Sequence, residues 1–130
     1  MILIDTSAWI EFLRDTGGPI CDEVDRQLEA DIAICAPVQM EVLAGARDED
    51  HLRDLRGLLA RAATVPVKEG DYEEAAALYR SCRRQGETIR RLVDCLIGAV
   101  AIRAKVPILH LDSDFDAMAR HSALEIHAPQ

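Results

Sequence analysis

Short runs of apolar residues without polar alternation place the tightest constraint on how this chain can fold. The clearest runs lie at residues 2–4, 31–35 and 107–111. A strand with one face in water alternates apolar and polar side chains, whereas a strand covered on both faces is largely apolar. Stretches in which apolar residues recur at helical spacing separate these runs. The sequence therefore predicts a parallel sheet covered by helices on both faces.

The remaining segments predict seven helices and two further extended pieces. Gly17-Gly18-Pro19 ends the first helix, which begins at Thr6 or Ser7. The later helices are expected at residues 20–30, 37–44, 49–62, 71–84, 92–104 and around 115–119, and the extended pieces at 64–67 and 124–126. Neither a repeat nor a linker interrupts the 130 residues. We therefore expect one domain over residues 1–130.

The charge balance narrows the classes of ligand. The chain carries 15 basic and 23 acidic residues, a net charge of −8, which excludes a general basic coat for nucleic acid. Aromatic residues make up only 4%, so an aromatic platform for base stacking is not expected. A local cluster of arginines could still engage a polyanion at one place. Its members are Arg80, Arg83, Arg84, Arg90 and Arg91.

The cysteines and the apolar segments indicate the compartment. None of the four cysteines forms a Cys-x-x-Cys pair or a zinc-like spacing, and Cys35 and Cys95 lie in apolar stretches typical of a core. A reduced, cytoplasmic setting is the simpler interpretation. The start of the chain lacks the basic flank of a signal peptide. The longest apolar run, 92–102, contains Asp94 and is too short for a membrane span, so no membrane association is expected.

Acidic residues directly follow two of the predicted strands. Asp5 comes after the first strand, and Asp112 and Asp114 come after a late one. In open parallel sheets, ligands bind beyond the carboxyl ends of the strands. We therefore expect these acids to meet at one edge of the sheet, although they lie at opposite ends of the sequence.

Two further acids lie within apolar helices. Glu41 and Asp94 both have apolar neighbours on either side. Ionised carboxylates are rarely buried unless they are paired or bound to metal. Gly98 follows Asp94 by one turn, and a glycine there costs about 1 kcal/mol of helix stability relative to alanine. We expect Gly98 to leave space beside the Asp94 carboxylate.

Carboxylates gathered at one place repel one another unless a cation neutralises them. Mg²⁺ or Mn²⁺ suits such a set because hard divalent ions prefer oxygen ligands. An ion held in this way can activate water and steady an in-line displacement at phosphorus. The acidic set therefore indicates phosphodiester or phosphate chemistry.

Each acid also has a simpler structural interpretation. Asp5 could cap the helix that follows it, and Asp112 and Asp114 could be turn and capping residues. Glu41 could pair with an arginine such as Arg47 or point outward at the rim of its helix. Asp94 could pair with Arg90 or Arg91, one turn before it. Taken together, two sets of strand-end acids and two acids within apolar helices favour a shared site. The histidines show no metal spacing, and a structural role is favoured for each, with a minor role in the site left open for His110.

Four segments in this order resemble the PIN-domain ribonucleases, specifically the small VapC-type toxins of bacterial toxin–antitoxin modules. They are Ile-Leu-Ile-Asp-Thr-Ser-Ala-Trp at 2–9, Ala-Pro-Val-Gln-Met-Glu-Val-Leu-Ala-Gly at 36–45, Val-Asp-Cys-Leu-Ile-Gly-Ala-Val-Ala-Ile at 93–102 and His-Leu-Asp-Ser-Asp-Phe-Asp at 110–116. The resemblance covers nearly the whole chain. It departs from many relatives at Gly98, where they have alanine, and at Leu111, where they have a polar or basic residue.

The resemblance implies a three-layer α/β/α sandwich with a central parallel sheet. It implies Mg²⁺ or Mn²⁺ held by the acids matching Asp5, Glu41, Asp94 and Asp112, with Asp114 as a fifth ligand. Thr6 or Ser7 matches the polar residue that supports the first aspartate.

The activity implied by the resemblance is endonucleolytic cleavage of RNA that leaves a 5′-phosphate and a 3′-hydroxyl. The implied partners are a cognate VapB-type antitoxin and a second copy of the chain in a homodimer. For contacts to RNA or antitoxin, the candidates are Arg83, Arg84, Arg90 and Arg91.

Two other classes share the placement of acids at strand ends. A haloacid-dehalogenase-like phosphatase has Asp-x-Asp-x-Thr after its first strand, but position 7 here is serine. A receiver-type signalling domain has paired acids after its first strand, and these are absent. A non-catalytic binding module of the same fold is the third alternative, which the complete acidic set disfavours.

Overall fold

The computed structural model describes residues 1–130, and the chain forms four strands and seven helices joined by short loops. The strands are β1 (Ile2–Ile4), β2 (Ile32–Ile34), β3 (Ala63–Thr64) and β4 (Ile108–Leu109). The helices are α1 (Thr6–Leu13), α2 (Pro19–Gln27), α3 (Ala36–Ala44), α4 (Glu49–Leu59), α5 (Glu69–Arg84), α6 (Leu92–Ala104) and α7 (Ser113–Arg120). Two helices separate each strand from the next along the chain, as the sequence pattern predicted.

The strands form one parallel sheet in the order β3-β2-β1-β4. Leu3 pairs with Ala33 of β2 on one side and with Ile108 of β4 on the other. The first strand is therefore central, and the last strand lies directly beside it. Because β1 and β4 are adjacent and parallel, the residues that follow these two strands lie side by side at the carboxyl edge of the sheet.

Every residue of β1, β2 and β4 is buried, which requires cover on both faces of the sheet. Helix α1 packs on α2 and α3, α3 also packs on α4, α5 packs along α6, and α7 packs on both α5 and α6. Trp9 of α1 and Phe115 of α7 are the largest fully buried side chains. The predicted three-layer α/β/α sandwich with a central parallel sheet is confirmed.

All four cysteines are buried and free. Burial raises the pKa of the Cys95 thiol to about 12 and that of the Cys35 thiol to about 11. A thiol reacts as the thiolate, so these two side chains are inert core residues, as their apolar sequence context indicated.

Two local details differ from the sequence-based expectations. The piece expected at 124–126 makes only an isolated parallel bridge, between Ile126 and Ile108, rather than a full strand. Gly98 does not make room for the Asp94 carboxylate, because a Cβ on Gly98 would lie 3.0 Å from the Met118 sulfur and 3.3 Å from a Leu78 methyl carbon. Gly98 instead allows α6 to pack closely against α7 and α5.

None of the helices is both long and apolar enough to cross a membrane.

Candidate active site

Asp5 and Asp112 lie at the same edge of the sheet because they follow the adjacent strands β1 and β4. The Asp5 N–H donates to the Leu109 carbonyl oxygen at 2.9 Å, which continues the pairing of β1 with β4 beyond the last strand residue. Asp5 is the N-cap of α1, and Asp112 is the N-cap of α7. The capping role predicted as an alternative for these acids is correct, and both carboxylates also belong to the shared cluster.

Ser7 holds the Asp5 carboxylate in place. Its N–H and hydroxyl donate to Asp5 Oδ2 at 3.0 and 2.6 Å, and its hydroxyl oxygen accepts from the Leu111 N–H at 2.9 Å. Asp5 is 1% exposed, and its second oxygen, Oδ1, is buried without a hydrogen-bond partner in the protein. A buried carboxylate oxygen without a partner is costly, so this atom marks a position where a cation would be stabilising.

Thr6 holds the Glu41 carboxylate in place, as Ser7 holds that of Asp5. The Thr6 hydroxyl donates to Glu41 Oε1 at 2.8 Å across 35 residues of sequence. Glu41 lies on α3, which begins directly after β2, so its helix starts from the same edge of the sheet. The adjacent residues Thr6 and Ser7 therefore orient two different carboxylates.

Asp94 brings α6 to the cluster. It is fully buried in the first turn of that helix. One carboxylate oxygen from each of Asp94, Asp112 and Asp114 lies within 4.8 Å of the others. Three carboxylate oxygens at this separation fit a hard divalent cation, and the unpartnered Oδ1 of Asp5 fits the same chemistry. The donor set therefore supports metal binding.

Two consecutive arginines contact four of these acids. Arg91 donates to Asp94 Oδ1 at 2.9 Å, to Asp94 Oδ2 at 3.3 Å and to Glu41 Oε2 at 2.8 Å. Arg90 donates to Asp112 Oδ1 at 2.7 Å and to Asp114 Oδ2 at 3.0 Å. The pairing of Asp94 with Arg91 was one of the predicted alternatives, but Glu41 pairs with Arg91 rather than Arg47.

Burial and mutual repulsion raise the pKa values of the deepest acids. Burial raises the pKa of Asp94 to about 6, hydrogen bonds and charge from Arg91 oppose this, and Asp5 and Asp112 add to it. Burial also raises the pKa of Asp5, against the hydrogen bonds from Ser7. Perturbed acids in a shared cluster are typical of functional sites.

His110 supports the loop that carries Asp112. Its Nδ1 accepts from the Asp112 N–H at 2.9 Å, and its Nε2 lies 3.1 Å from an Asp116 oxygen. Because Nδ1 accepts a hydrogen bond, the proton of the neutral ring lies on Nε2 and is donated to Asp116. His110 therefore has the structural role that the sequence favoured.

The structure divides the predicted residues into two groups. The acidic cluster contains the five carboxylates, its supports Thr6 and Ser7, and the two arginines at its mouth, Arg90 and Arg91. Arg83 and Arg84 lie instead at the end of α5. The Arg83 guanidinium carbon, Cζ, lies over the Tyr79 ring, 5.5 Å from the ring centroid. The sequence did not predict that Arg91 joins Glu41, because fifty residues separate them and no periodicity connects them.

The parallel sheet and the acids at its carboxyl edge define an α/β protein with a candidate metal centre. Family comparison adds that the PIN domain family matches residues 2–121. Ribonuclease VapC11 of Mycobacterium tuberculosis is 46% identical over 129 residues, covering 96% of each chain, and a VapC ribonuclease of Mycobacterium bovis matches to the same extent. The chain therefore belongs to the PIN domain family and, within it, to the VapC ribonucleases.

Solved structures agree on the fold. VapBC2 from Rickettsia felis, solved bound to a DNA fragment from its promoter, superposes with a TM-score of 0.78 at 16% identity and covers all of both chains. FitAcB from Neisseria gonorrhoeae superposes with a TM-score of 0.77 at 21% identity, covering 99% of this chain and 98% of that one. At these identities the likeness concerns the architecture.

Proposed function

We propose that this chain is a metal-dependent endoribonuclease, the toxin of a toxin–antitoxin pair, acting as a single PIN domain over residues 1–130. The observation that carries this proposal is the cluster of Asp94, Asp112 and Asp114 oxygens beside the unpartnered, buried Oδ1 of Asp5. The 46% identity to VapC ribonucleases over nearly the whole chain supports the same activity.

In this proposal the catalytic residues are Asp5, Glu41, Asp94 and Asp112. These four and Asp114 would hold Mg²⁺ or Mn²⁺, the hard ions that an all-carboxylate set prefers. When bound, such an ion supplies an activated water and neutralises charge on the phosphate oxygens. The reaction proposed is hydrolysis of an RNA phosphodiester that leaves a 5′-phosphate and a 3′-hydroxyl.

The protein's own part is to hold the carboxylates in a fixed arrangement. Ser7 fixes one oxygen of Asp5, and Thr6 fixes one oxygen of Glu41, which leaves the other oxygen of each acid free of those contacts. The burial of Asp94 at the base of the site excludes water from one side of the cluster. Supporting contacts of this kind orient metal ligands and raise activity.

The proposed partner is a cognate VapB-type antitoxin, since the solved structures that share this fold include the VapBC complex of Rickettsia felis. The surface arginines Arg83 and Arg84 are proposed contacts for RNA or antitoxin, and so are Arg90 and Arg91 at the mouth of the site. The setting proposed is the cytoplasm, where RNA is available and the four free cysteines stay reduced.

We also propose that the protein forms a homodimer. A cleft of about 300 Å³ lined only by hydrophobic residues lies between α5 and α6, and two side chains at its rim, Tyr72 and Leu92, are about 60% exposed. Exposed apolar surface of this kind is typical of a protein–protein contact.

The test of the activity is an RNA cleavage assay with the wild type and two acid variants. With Mg²⁺ present, we expect Asp5→Asn and Asp94→Asn each to lower the cleavage rate by more than about 100-fold, because each removes a ligand and not only a support. Asp54→Asn, an equal charge change at an exposed position of α4, is the matched control. Full activity in either site variant would exclude the proposed mechanism, and sequencing of the 5′ ends would identify the RNA.

A further inference from the structure

Arg90 and Arg91 reach opposite halves of the acidic site from adjacent positions. Arg91 has an extended backbone, with φ −132° and ψ 129°, as the N-cap of α6. Adjacent side chains on extended backbone point in opposite directions. Arg91 therefore reaches Asp94 and Glu41, whereas Arg90 reaches Asp112 and Asp114.

The arginines cover the acids from the solvent side. The Arg90 and Arg91 side chains are 69% and 52% exposed, whereas none of the four carboxylates they contact exceeds 15%. The exposed position means that the guanidinium groups can move into solvent without disturbing the core. The acids beneath them cannot move in the same way.

The arginines bond oxygens of the same carboxylates that would hold a metal. Arg91 bonds both oxygens of Asp94, and Arg90 bonds Asp112 Oδ1. A cation that takes an Asp94 oxygen must therefore share that oxygen with a hydrogen bond from Arg91 or displace the bond. It must also approach a positive guanidinium, which repels it. Asp5 Oδ1 is the one buried oxygen of the cluster without any partner.

We propose that Arg90 and Arg91 are resident counter-cations of the acidic site, which stabilise the metal-free protein and compete with the divalent ion for Asp94 and Asp112. The inference rests on the proposed function, because it takes the acidic cluster as the metal site. Metal binding then exchanges one kind of cation for another, so the arginines set how much metal the protein requires.

This competition makes two predictions with opposite signs for one variant. Arg91→Gln removes the only basic partner of Asp94 and Glu41, so the metal-free protein melts at a lower temperature than the wild type. The same variant removes the competing charge, so Mn²⁺ binds more tightly. We expect a decrease of about tenfold in the dissociation constant, within the usual range for coupling between two sites.

The experiment is isothermal titration of the metal-free protein with Mn²⁺, together with melting curves recorded in EDTA. The variants are Arg91→Gln, Arg91→Lys and Arg90→Gln. The lysine variant keeps the charge, and we expect its Mn²⁺ affinity to stay near that of the wild type. Arg90→Gln provides the same test at Asp112 and Asp114 and serves if Arg91→Gln fails to fold. Arg56→Gln, at an exposed site on α4, controls for the loss of one positive charge from the whole molecule.

Tighter Mn²⁺ binding in both glutamine variants, with unchanged binding in Arg56→Gln, is the expected result. Unchanged or weaker Mn²⁺ binding in the glutamine variants would overturn the inference, because the arginines would then only organise the site or only contact RNA. That result leaves the proposed ribonuclease intact if the wild type still binds Mn²⁺ and cleaves RNA. A wild type that cleaves RNA without binding Mn²⁺ would instead overturn the metal requirement, and this inference with it.

Discussion

At the scale of single residues, Asp5 and Asp112 each serve both as a helix cap and as part of the acidic cluster. Asp5 uses Oδ2 to cap α1 and keeps Oδ1 free of protein partners. Asp112 uses Oδ1 both for the Asp114 N–H and for Arg90. A carboxylate has two oxygens and about four acceptor positions, so the two roles do not compete. Capping and ligation were therefore not exclusive interpretations of these acids.

The Ser7 hydroxyl gives a prediction about the pH dependence of cleavage. Ser7→Ala removes a hydrogen bond that lowers the pKa of Asp5, so that pKa rises above its already raised value. An acid with a higher pKa ionises at higher pH. We expect the acidic limb of the pH–rate profile to shift to higher pH and the rate at neutral pH to fall by about 10- to 100-fold.

Ser113→Ala is the matched control for Ser7→Ala, since Ser113 is exposed in the first turn of α7. Rates are measured against pH at saturating Mg²⁺. A profile for Ser7→Ala that coincides with the wild type would show that Asp5 does not need this contact.

Glu23 gives a prediction about stability, at a site distant from the acids. Burial raises the pKa of Glu23, but hydrogen bonds from His127, Gln27 and the Gln130 N–H, with the charge of Arg26, bring it down to about 2. An acid with a lowered pKa stabilises the folded state above its unfolded pKa, near 4.3, and loses that contribution as the pH falls towards 2.

Glu23→Gln should therefore lower the free energy of unfolding by about 3 kcal/mol at pH 7, because a buried ionic contact is broken. The difference from the wild type should shrink below about pH 4. Urea unfolding from pH 2 to 7 measures this, with Glu29→Gln, at an exposed position beyond α2, as the control. A difference independent of pH would show that the charge of Glu23 is not the stabilising feature.

At the scale of elements, the sequence predicted what local pattern determines. The expected bounds of α6, 92–104, and of β1, 2–4, match the structure, because an unbroken apolar run and its polar stop are both local signals. The bridge of Ile126 to Ile108 is different, since pairing at a sheet edge depends on the neighbouring strand. The contact of Arg91 with Glu41 likewise depends on the folded arrangement of α3 and α6. Sequence patterns therefore predicted the sheet, the group of acids and the local pairing of Asp94 with Arg91, but not the distant pairing of Glu41 with Arg91.

The two helical glycines Gly98 and Gly57 give a matched prediction. A Cβ on Gly57 of α4 would meet nothing within 4 Å, whereas one on Gly98 of α6 would press on Met118 and Leu78. Gly57→Ala should therefore stabilise the protein by about 1 kcal/mol through helix propensity.

A larger side chain at Gly98 should have the opposite effect. Gly98→Val should destabilise the protein by about 2 kcal/mol or more, because overpacking forces α6 away from α7. Thermal and urea unfolding of the two variants measure the contrast. Equal stability of Gly98→Val and the wild type would mean that the contact of α6 with α7 is loose.

At the scale of the whole molecule, the proposed homodimer is tested through the cleft between α5 and α6. Tyr72 is 61% exposed at its rim. Tyr72→Glu places a charge on this apolar surface, so we expect the mass in solution to fall from that of a dimer to that of a monomer, with an unchanged helical spectrum. Glu73→Gln, on the same helix and exposed, is the control. A wild type that is monomeric at all concentrations would exclude the dimer.

The order of the strands has a consequence for the newborn chain. Because β4 pairs with β1, the acids that follow β4 can join Asp5 only after residues beyond 109 have left the ribosome. A nascent polypeptide that lacks Asp112 and Asp114 has no complete cluster, however well its earlier segments have folded. On the proposed assignment of the site, the nascent chain therefore lacks the full set of acids for RNA cleavage until residue 114 has been added.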